Sequence, residues 1–204
     1  MKKKFFFGRL QFRSLSTKKK KNLTLFKKNF NISSIKPKSN IILEIGFGMG
    51  ENMIRLAKEN ADQNIIGVEP LLNGQCNLAD YCLNNFVKNI YIYADPVQTF
   101  FRKYPKLNFN CCYILFPDPW HKKKHNKRRL INPEFLQKLV MRTKTVYFLS
   151  DNYDYYLNVK SSVLKLKKVK IVVSSKNFKT ANTKYLLRAK RLRNKLYYLT
   201  IDKE

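Results

Sequence analysis

Short apolar runs alternate along most of the chain with segments that have the periodicity of amphipathic helices. From residue 40 onward, five runs rich in Ile, Val, Tyr and Phe each end in an acid. They are NIILE to Glu44, NIIGVE to Glu69, NIYIYAD to Asp95, CCYILFPD to Asp118 and TVYFLSD to Asp151. The acids recur at close to the roughly 30 residues of a strand–helix–strand unit. Because continuous apolar strands are typical of sheets buried on both faces, the pattern predicts an α/β fold. We expect a central, mostly parallel sheet of about seven strands with helices on both faces.

The segments between the runs have apolar residues at helical spacing. They predict helices over residues 49–60, 73–87, 133–143 and 153–164. In the third of these, Asn132 is a favourable N-cap, and Pro133 is a favourable residue for the first helical position. Beyond residue 164 we expect a strand over 168–174, a polar loop and a last strand over 196–201.

The first 38 residues differ in composition from the rest of the chain. Lysine runs occupy positions 2–4, 18–21 and 27–28, and Pro37 closes the segment. Such a basic, low-complexity segment predicts an arm that is poorly ordered or only partly structured. The expected organisation is therefore a basic arm over 1–38 and one folded domain over 39–204.

The formal net charge of +29 favours a polyanionic partner, because lysine and arginine gain affinity by releasing counterions from phosphates. A second explanation is compositional. The chain is rich in Lys, Asn, Ile, Phe and Tyr, as an AT-rich genome would produce. The charge alone is therefore modest support for a nucleic acid partner.

Other classes of protein are disfavoured by the sequence. No apolar run approaches the 18 or so residues of a membrane span, and the opening MKKKFFFGRL has no signal-peptide cleavage site. The four cysteines and two histidines lack the spacing of a zinc site, so we expect no metal and reduced thiols. We expect a soluble, cytoplasmic protein that is a monomer or a weak homo-oligomer.

The strand-end acids indicate where a ligand binds. In an open parallel sheet, ligands bind outside the carboxyl ends of the strands. A single acid after a strand is usually a turn former or a helix cap. Five in succession are harder to explain in this way, because the chain has only 13 Asp and Glu residues.

The segment LEIGFGMG, residues 43–50, adds a glycine-rich turn to the first of these acids. Its pattern is E-x-G-x-G-x-G, with glycines at Gly46, Gly48 and Gly50. Glycines let the backbone reverse and approach a ligand closely, although such a turn can also serve only packing. Glu44 would repel a pyrophosphate but suits an ammonium or sulfonium group. Glu69 can accept the hydroxyls of a ribose. A ligand with a ribose and a positive charge but no phosphate fits S-adenosylmethionine better than NAD, with Asp95 near the adenine.

A second unusual stretch is LFPDPWHKKKHNKRRL, residues 115–130. Together with LEIGFGMGE and the GVE ending at Glu69, it resembles the bacterial tRNA (guanine-N7-)-methyltransferase family, over residues 40–201. The resemblance implies a Rossmann-like class I methyltransferase that uses S-adenosylmethionine. Its implied substrate is the variable-loop guanosine of tRNA, position 46 in tRNA numbering, which becomes 7-methylguanosine.

The resemblance also implies roles for individual residues. The implied cofactor-binding residues are Glu44, Gly46, Gly48, Gly50, Glu69, Asp95 and Asp118. The implied substrate-binding residues are Lys122, Asp151 and, in the segment TKYLLR, Thr183, Lys184, Tyr185 and Arg188. Two positions depart from the family pattern: Leu186 replaces the glutamate of the motif T-K-F-E-x-R, and Pro70 directly follows Glu69.

The chemistry expected of this site needs little acid–base assistance. Guanine N7 attacks through a lone pair and has no proton to lose, so positioning and charge stabilisation should dominate. Asp118 is the predicted catalytic residue, since a carboxylate can stabilise the positive charge that develops on the base. Trp120 could stack on the base or serve core packing, and the cations from Lys122 to Arg129 are expected to hold RNA phosphates.

Two alternatives stay open. An exocyclic amino methyltransferase also has an Asp-Pro turn after the fourth strand, although with a second proline where this chain has Trp120. A non-catalytic basic RNA-binding protein could have kept a methyltransferase fold.

Overall fold

The computed structural model describes residues 10, 14–36, 40–166 and 170–203. The strands are β1 (Ile41–Ile45), β2 (Asn64–Val68), β3 (Ile90–Tyr93), β4 (Phe109–Leu115), β5 (Thr143–Ser150), β6 (Ile171–Ser174) and β7 (Tyr197–Lys203). The helices are α1 (Thr17–Asn29), α2 (Glu51–Glu59), α3 (Leu72–Asn84), α4 (Val97–Lys103), α5 (Pro133–Arg142), α6 (Tyr153–Leu164) and α7 (Lys184–Arg191). Two 3₁₀ helices cover Ile32–Ser34 and Lys123–Arg128.

The seven strands form one sheet in the order β3-β2-β1-β4-β5-β7-β6. The pairs β1–β2, β2–β3 and β4–β5 are parallel, whereas β7 runs antiparallel to β5 and β6. The prediction of a mostly parallel sheet of about seven strands with helices is therefore confirmed. The last strand is antiparallel because the chain returns from β6 to β7 beside β5.

The fold divides into two compact units, the first ending at Leu107 and the second beginning at Asn108. In the first unit the core lies between β1–β3 and the helices that follow them, and all five residues of β1 are buried. Apolar side chains at helical spacing on α2 and α3 supply the opposing surface. They are Met53, Leu56, Leu78 and Cys82, each at most 1% exposed.

Helix α1 lies within the predicted arm, and the sequence analysis did not predict a helix among these lysine runs. Leu23 and Phe26, one helical turn apart, are buried. Asn22 donates a hydrogen bond to Asp80 of α3 over 2.7 Å, which joins the two helices. The division at residue 38 into arm and domain stays a prediction, and the parts of the arm at 1–9, 11–13 and 37–38 lie outside the described residues.

The second unit places its core around β4, β5 and β7, with Phe148 and Leu199 fully buried. Helix α6 covers the predicted span 153–164, and Asn132 caps α5 by accepting a hydrogen bond from the Phe135 N–H. The expected polar loop before the last strand is wrong in part, because it contains α7. This helix buries only Leu186 and Ala189, and half of its residues are cationic. Its sequence therefore resembles a polar loop.

The four cysteines carry thiols and no disulfide; Cys76, Cys82 and Cys112 are buried and Cys111 is half-buried. Across the described residues, no helix combines the length and the apolar character needed to cross a membrane.

Candidate functional site

The glycine loop, residues 46–50, follows β1 and has a backbone that only glycine adopts without strain. Gly46, Gly48 and Gly50 have φ values of 75°, 58° and 93°. The Gly46 N–H donates to the Val68 carbonyl over 2.8 Å, which ties the start of the loop to β2. With no side chains at these three positions, the loop can turn sharply at the carboxyl end of β1.

Helix α3 holds the glycine loop from one side. A Cβ atom added to Gly74 would lie 1.8 Å from the carbonyl oxygen of Gly48, so α3 and the loop approach backbone to backbone. Asn77 donates from its side-chain amide to the Met49 carbonyl over 2.9 Å. The shape of the loop therefore depends on α3 as well as on its own glycines.

Glu44 lies at the base of this loop and is 2% exposed. Its carboxylate accepts a hydrogen bond from the Asn52 side-chain amide over 3.0 Å, and Asn52 in turn accepts one from Arg55 Nε over 3.1 Å. Burial raises the pKa of Glu44 to about 8, although the Asn52 hydrogen bond and the Arg55 charge oppose the shift. Near neutral pH this carboxyl therefore holds a proton that a cationic ligand would displace.

Glu69 follows β2 and accepts backbone hydrogen bonds with both carboxylate oxygens, one of them from the glycine loop. Oε2 accepts from the Gly48 N–H over 2.9 Å, and Oε1 accepts from the Leu71 N–H over 2.8 Å. The residue is 7% exposed. A carboxylate offers about four acceptor positions, so these two bonds are compatible with further hydroxyl donors.

Asp95 follows β3 at the same edge of the first unit and is exposed. Beside it, the buried Gln75 donates to the carbonyls of Glu69 and Ala94 over 2.7 and 3.4 Å. Lys27 of α1 donates to Gln75 Oε1 over 3.1 Å. Burial lowers the pKa of Lys27, and the Asp95 charge partly offsets this. The helix inside the predicted arm thus contacts Gln75, which binds the backbone of Glu69 and of Ala94 next to Asp95.

In the second unit, the Asp118 loop (residues 116–122) follows β4. Phe116 and Trp120 have positive φ values of 50° and 48°, which non-glycine residues rarely adopt. Asp118 is exposed as a residue, yet atoms packed against its carboxyl remove enough water to raise its pKa. The loop is therefore a strained turn that carries a partly desolvated acid.

Arg129 is buried against the Asp118 loop. The expectation that it contacts phosphates, as part of the run from Lys122 to Arg129, is therefore wrong for this residue. It is 6% exposed; its Nε donates to the Pro119 carbonyl over 2.8 Å, and Nη2 pairs with Asp154 over 2.5 Å. The guanidinium also lies 4.8 Å from the centre of the Tyr155 ring. A buried guanidinium with these partners positions the loop.

A pocket of about 400 Å³ opens at the Asp118 loop. Its lining residues are Asp118, Pro119, Trp120, His121, Lys122 and His125. The Arg128 guanidinium lies 5.0 Å from the Trp120 ring centre, and the His125 ring meets Trp120 edge-on at 5.9 Å. This volume falls in the range of small-molecule sites, and the walls offer an aromatic face, one acid and cations.

The other predicted substrate residues lie in the second unit in different settings. Lys122, Lys184 and Arg188 are exposed. Asp151 accepts a hydrogen bond from the Asn194 amide over 2.9 Å, and Thr183 caps α7 by accepting from the Leu186 N–H over 3.1 Å.

Two neighbouring residues of α7 differ in exposure. Tyr185 is 49% exposed and lies parallel to Phe116 at 6.5 Å. Leu186, which replaces the family glutamate, is 5% exposed. The replacement therefore fills the core with an apolar side chain and leaves no carboxylate at this position.

Among the described residues, no group of three His, Cys, Asp or Glu side chains could hold a metal ion. In each unit, the strand-end acids share one edge because the strands that carry them are parallel. Glu44, Glu69 and Asp95 lie at this edge of the first unit, and Asp118 and Asp151 at that of the second.

A protein-family model described as "Putative methyltransferase" matches residues 38–199, which is most of the chain. The chain belongs to this methyltransferase family. Curated relatives include a tRNA (guanine-N(7)-)-methyltransferase of Wolbachia pipientis, 39% identical over 118 residues that make up 56% of this chain and 53% of the relative. Another protein of that name, from Caulobacter vibrioides, is 40% identical over 116 residues, 55% of this chain and 51% of the relative. The chain thus spans about half the length of these relatives.

Solved structures of proteins described as methylases or methyltransferases share the fold. An rRNA methylase from Streptococcus thermophilus superposes with a TM-score of 0.56 at 10% identity, covering 90% of this chain and 94% of that one. A methyltransferase from Streptococcus mutans in complex with SAH has a TM-score of 0.54 at 11% identity, covering 94% of this chain and all of the other. At such low identity the likeness establishes only the Rossmann-like fold that the sequence predicts.

Two site residues that the sequence analysis missed could have been found from helical periodicity. Asn52 lies one turn before Leu56 on α2, and Gln75 lies one turn before Ala79 on α3, so both occupy buried positions on apolar faces. A polar residue at such a position needs a hydrogen-bond partner, because burying an unpaired amide is costly. For Asn52 that partner is Glu44, and for Gln75 it is the backbone beside Asp95.

The raised pKa of Glu44 predicts a pH-dependent stability of the ligand-free protein. Because the folded state holds the proton up to about pH 8 and the unfolded state only to about 4.5, wild-type stability falls as pH rises between these values. The slope is up to about 1.4 kcal/mol per pH unit. Glu44→Gln, which cannot ionise, should match the wild type at pH 4 and exceed it at pH 8 in urea denaturation. Equal stability of both proteins at pH 8 would contradict this.

Proposed function

We propose that the protein is an S-adenosylmethionine-dependent tRNA (guanine-N7-)-methyltransferase that forms 7-methylguanosine in the variable loop, at position 46. The observation that carries this proposal is the Asp118 pocket, where one partly desolvated acid and Trp120 share a wall with cations. An anionic nucleic acid can enter through the cations, and a planar base can stack on the indole. The curated relatives that bear this enzyme name support the choice of reaction.

The residues of the first unit fit the proposed cofactor. Glu44 is buried and protonated near neutral pH without a ligand, so a nearby ammonium or sulfonium group would restore its charge. Glu69 would accept the ribose hydroxyls, Asp95 would lie beside the adenosine, and the backbone of Gly46, Gly48 and Gly50 would leave room for the ligand. When bound, S-adenosylmethionine supplies an electrophilic methyl group.

Within the second unit, the chain's own residues would orient the guanine and stabilise its charge. Trp120 would stack on the base, which must leave any helical stack to reach the pocket. The base gains positive charge as N7 attacks, and Asp118 would stabilise that charge while contacting the cofactor. Lys122 would bind a phosphate, Arg129 would keep Pro119 and the loop in place, and no residue needs to remove a proton from N7.

The remaining substrate contacts are proposed to come from Asp151 and α7. Lys184, Tyr185 and Arg188 present exposed surface there, whereas Leu186 cannot provide the contact of the family glutamate. We expect this enzyme to depend more on phosphate and stacking contacts than relatives that keep the acid. A cytoplasmic location and a monomer or weak homo-oligomer complete the proposal.

Two measurements separate this function from its alternatives. Label from methyl-labelled S-adenosylmethionine should appear in tRNA, and calorimetry should detect S-adenosylmethionine binding to the protein alone. An RNA-binding protein without activity would bind tRNA but neither bind S-adenosylmethionine nor transfer label. An exocyclic amino methyltransferase would place the label on an exocyclic amino nitrogen, as in N6-methyladenosine, and not on N7 of guanine.

Lys122→Ala is predicted to weaken tRNA binding more than S-adenosylmethionine binding, because Lys122 is exposed beside the pocket. Losing one phosphate contact should lower the slope of log affinity against log salt by about one. Titrations of tRNA at several salt concentrations measure the slope. Lys144→Ala, which removes an exposed lysine of β5, is the matched control. An unchanged salt slope for Lys122→Ala would refute the phosphate contact.

A further inference from the structure

Three tyrosines of the second unit form an aromatic cluster that the proposed mechanism does not use. Tyr153 and Tyr156 lie in the first turn of α6, and Tyr197 begins β7. The ring centres of Tyr153 and Tyr197 are 5.0 Å apart, those of Tyr156 and Tyr197 5.4 Å, and those of Tyr153 and Tyr156 6.2 Å. The Tyr153–Tyr156 and Tyr156–Tyr197 pairs are stacked, at interplanar angles of 18° and 30°, and the Tyr153–Tyr197 pair is tilted at 38°. We call this group the tyrosine stack.

The members of the stack differ in exposure. Tyr156 is 8% exposed, and its hydroxyl is hydrogen-bonded to Ser175 Oγ over 2.9 Å. Tyr153 keeps 53% of its surface exposed. Core packing explains Tyr156, but it does not explain a half-exposed aromatic ring held in place by two others. Because its neighbours already restrict it, Tyr153 can offer contact area at a low entropic cost.

Cations accompany the stack. Lys160 Nζ lies 6.0 Å from the Tyr156 ring centre, and Lys195 Nζ lies 5.8 Å from that of Tyr197. The segment before β7 adds further exposed cations, namely Lys190, Arg191 and Arg193. Two acids close to Tyr153 in sequence have partners of their own, since Asn194 binds Asp151 and Arg129 binds Asp154. Aromatic rings flanked by cations are typical of surfaces that bind single-stranded nucleic acid.

The stack also lies at the edge where ligands bind. Tyr197 pairs with Ser150 in the antiparallel register of β5 and β7, which puts its ring at the carboxyl end of β5. Tyr153 is two residues beyond Asp151, a predicted substrate contact. In open α/β sheets, this is the edge that faces the ligand.

We propose that the tyrosine stack binds an unpaired nucleobase of the RNA, with Tyr153 as the stacking face and Lys160 and Lys195 contacting the flanking phosphates. The inference rests on the proposed function, because it takes tRNA as the substrate. It adds a base contact that lies outside the Asp118 pocket. A tyrosine ring stacks on any base, so this contact contributes affinity rather than sequence specificity.

The test is tRNA binding by the full chain at several salt concentrations. Tyr153→Ala should weaken binding about tenfold at every salt concentration, because a lost stacking contact releases no counterions. Tyr153→Phe keeps the ring and should bind within about twofold of the wild type, as should Leu157→Ala, which trims an exposed apolar residue of the same helix. Lys195→Ala should instead lower the salt slope by about one. Against a blunt RNA duplex without unpaired bases, Tyr153→Ala should bind like the wild type.

Several results would overturn the inference. Binding of tRNA by Tyr153→Ala as tight as that of the wild type would contradict it, and so would equal losses of duplex and tRNA binding in this variant. An equal loss in Tyr153→Phe would assign the effect to the hydroxyl instead of the ring. If the wild type methylates tRNA and Tyr153→Ala is indistinguishable from it, only this inference falls. If the wild type does not bind tRNA, the proposed function falls with it.

Discussion

Replacing Asp118 by alanine is expected to lower the rate of methyl transfer to tRNA by at least about a hundredfold, the usual effect of removing one group that stabilises developing charge. The affinity for tRNA should change by less than about threefold, because phosphate contacts dominate nucleic acid binding. The pocket explains the separation: Asp118 lines it together with Lys122, but only the acid can stabilise a base that becomes positive. Single-turnover rates and equilibrium binding to the same tRNA measure the two effects.

Asp118→Asn is the matched control, since it keeps the size of the side chain and removes its charge. A loss of rate close to that of Asp118→Ala would assign the effect to the carboxylate charge. Parallel losses of rate and tRNA affinity in both variants would contradict this division of roles. The Asp118 loop would then act mainly in binding.

The second large effect is expected from Gly74→Ala in α3. Alanine normally stabilises a helix by about 1 kcal/mol relative to glycine. Here the new Cβ would meet the Gly48 carbonyl at 1.8 Å, so the glycine loop or α3 must move. Because Glu69 also binds the Gly48 N–H, the shift would disturb the predicted ribose site. We expect a lower melting temperature and at least a tenfold loss of S-adenosylmethionine affinity, about 1.4 kcal/mol.

Gly46→Ala provides the comparison for folding stability, because within the protein a Cβ at Gly46 meets nothing within 4 Å and the folding penalty comes from its φ of +75°. That penalty is about 1–2 kcal/mol of folding stability. Thermal melts should therefore rank Gly74→Ala as the more damaging change for folding stability, and calorimetric titrations with S-adenosylmethionine measure its loss of cofactor affinity. A Gly74→Ala protein that melts higher than the wild type and binds the cofactor equally well would show that α3 does not hold the loop.

The sheet and the strand-end acids could be predicted because both follow from local pattern. A continuous apolar run predicts a strand that is buried on two faces. A residue that follows such a strand, as Glu69 and Asp151 do, must lie at the carboxyl end of the sheet. The glycine loop could also be predicted, since three alternating glycines after a strand favour a sharp turn with positive φ values. These features depend on residues that are close together in the chain.

The features that could not be predicted depend on contacts between distant residues. Helix α1 buries Leu23 and Phe26 within a lysine-rich segment, so its apolar face is too narrow to stand out. Arg129 belongs to a run of cations, and only its contacts with Pro119 and Asp154 distinguish it from the exposed members. The close approach of Gly74 to Gly48 likewise appears only when α3 is packed against the loop.

The central claim is that this chain methylates N7 of a guanosine in tRNA. The most direct test is to incubate the protein with S-adenosylmethionine and a tRNA transcript, digest the RNA to nucleosides and identify the methylated product by mass spectrometry. A second transcript with adenosine in place of the variable-loop guanosine is the matched control. We predict 7-methylguanosine from the first transcript and none from the second. The proposed function would be contradicted if the product were N6-methyladenosine or any other methylated nucleoside in place of 7-methylguanosine. The absence of any methylated product would contradict it as well.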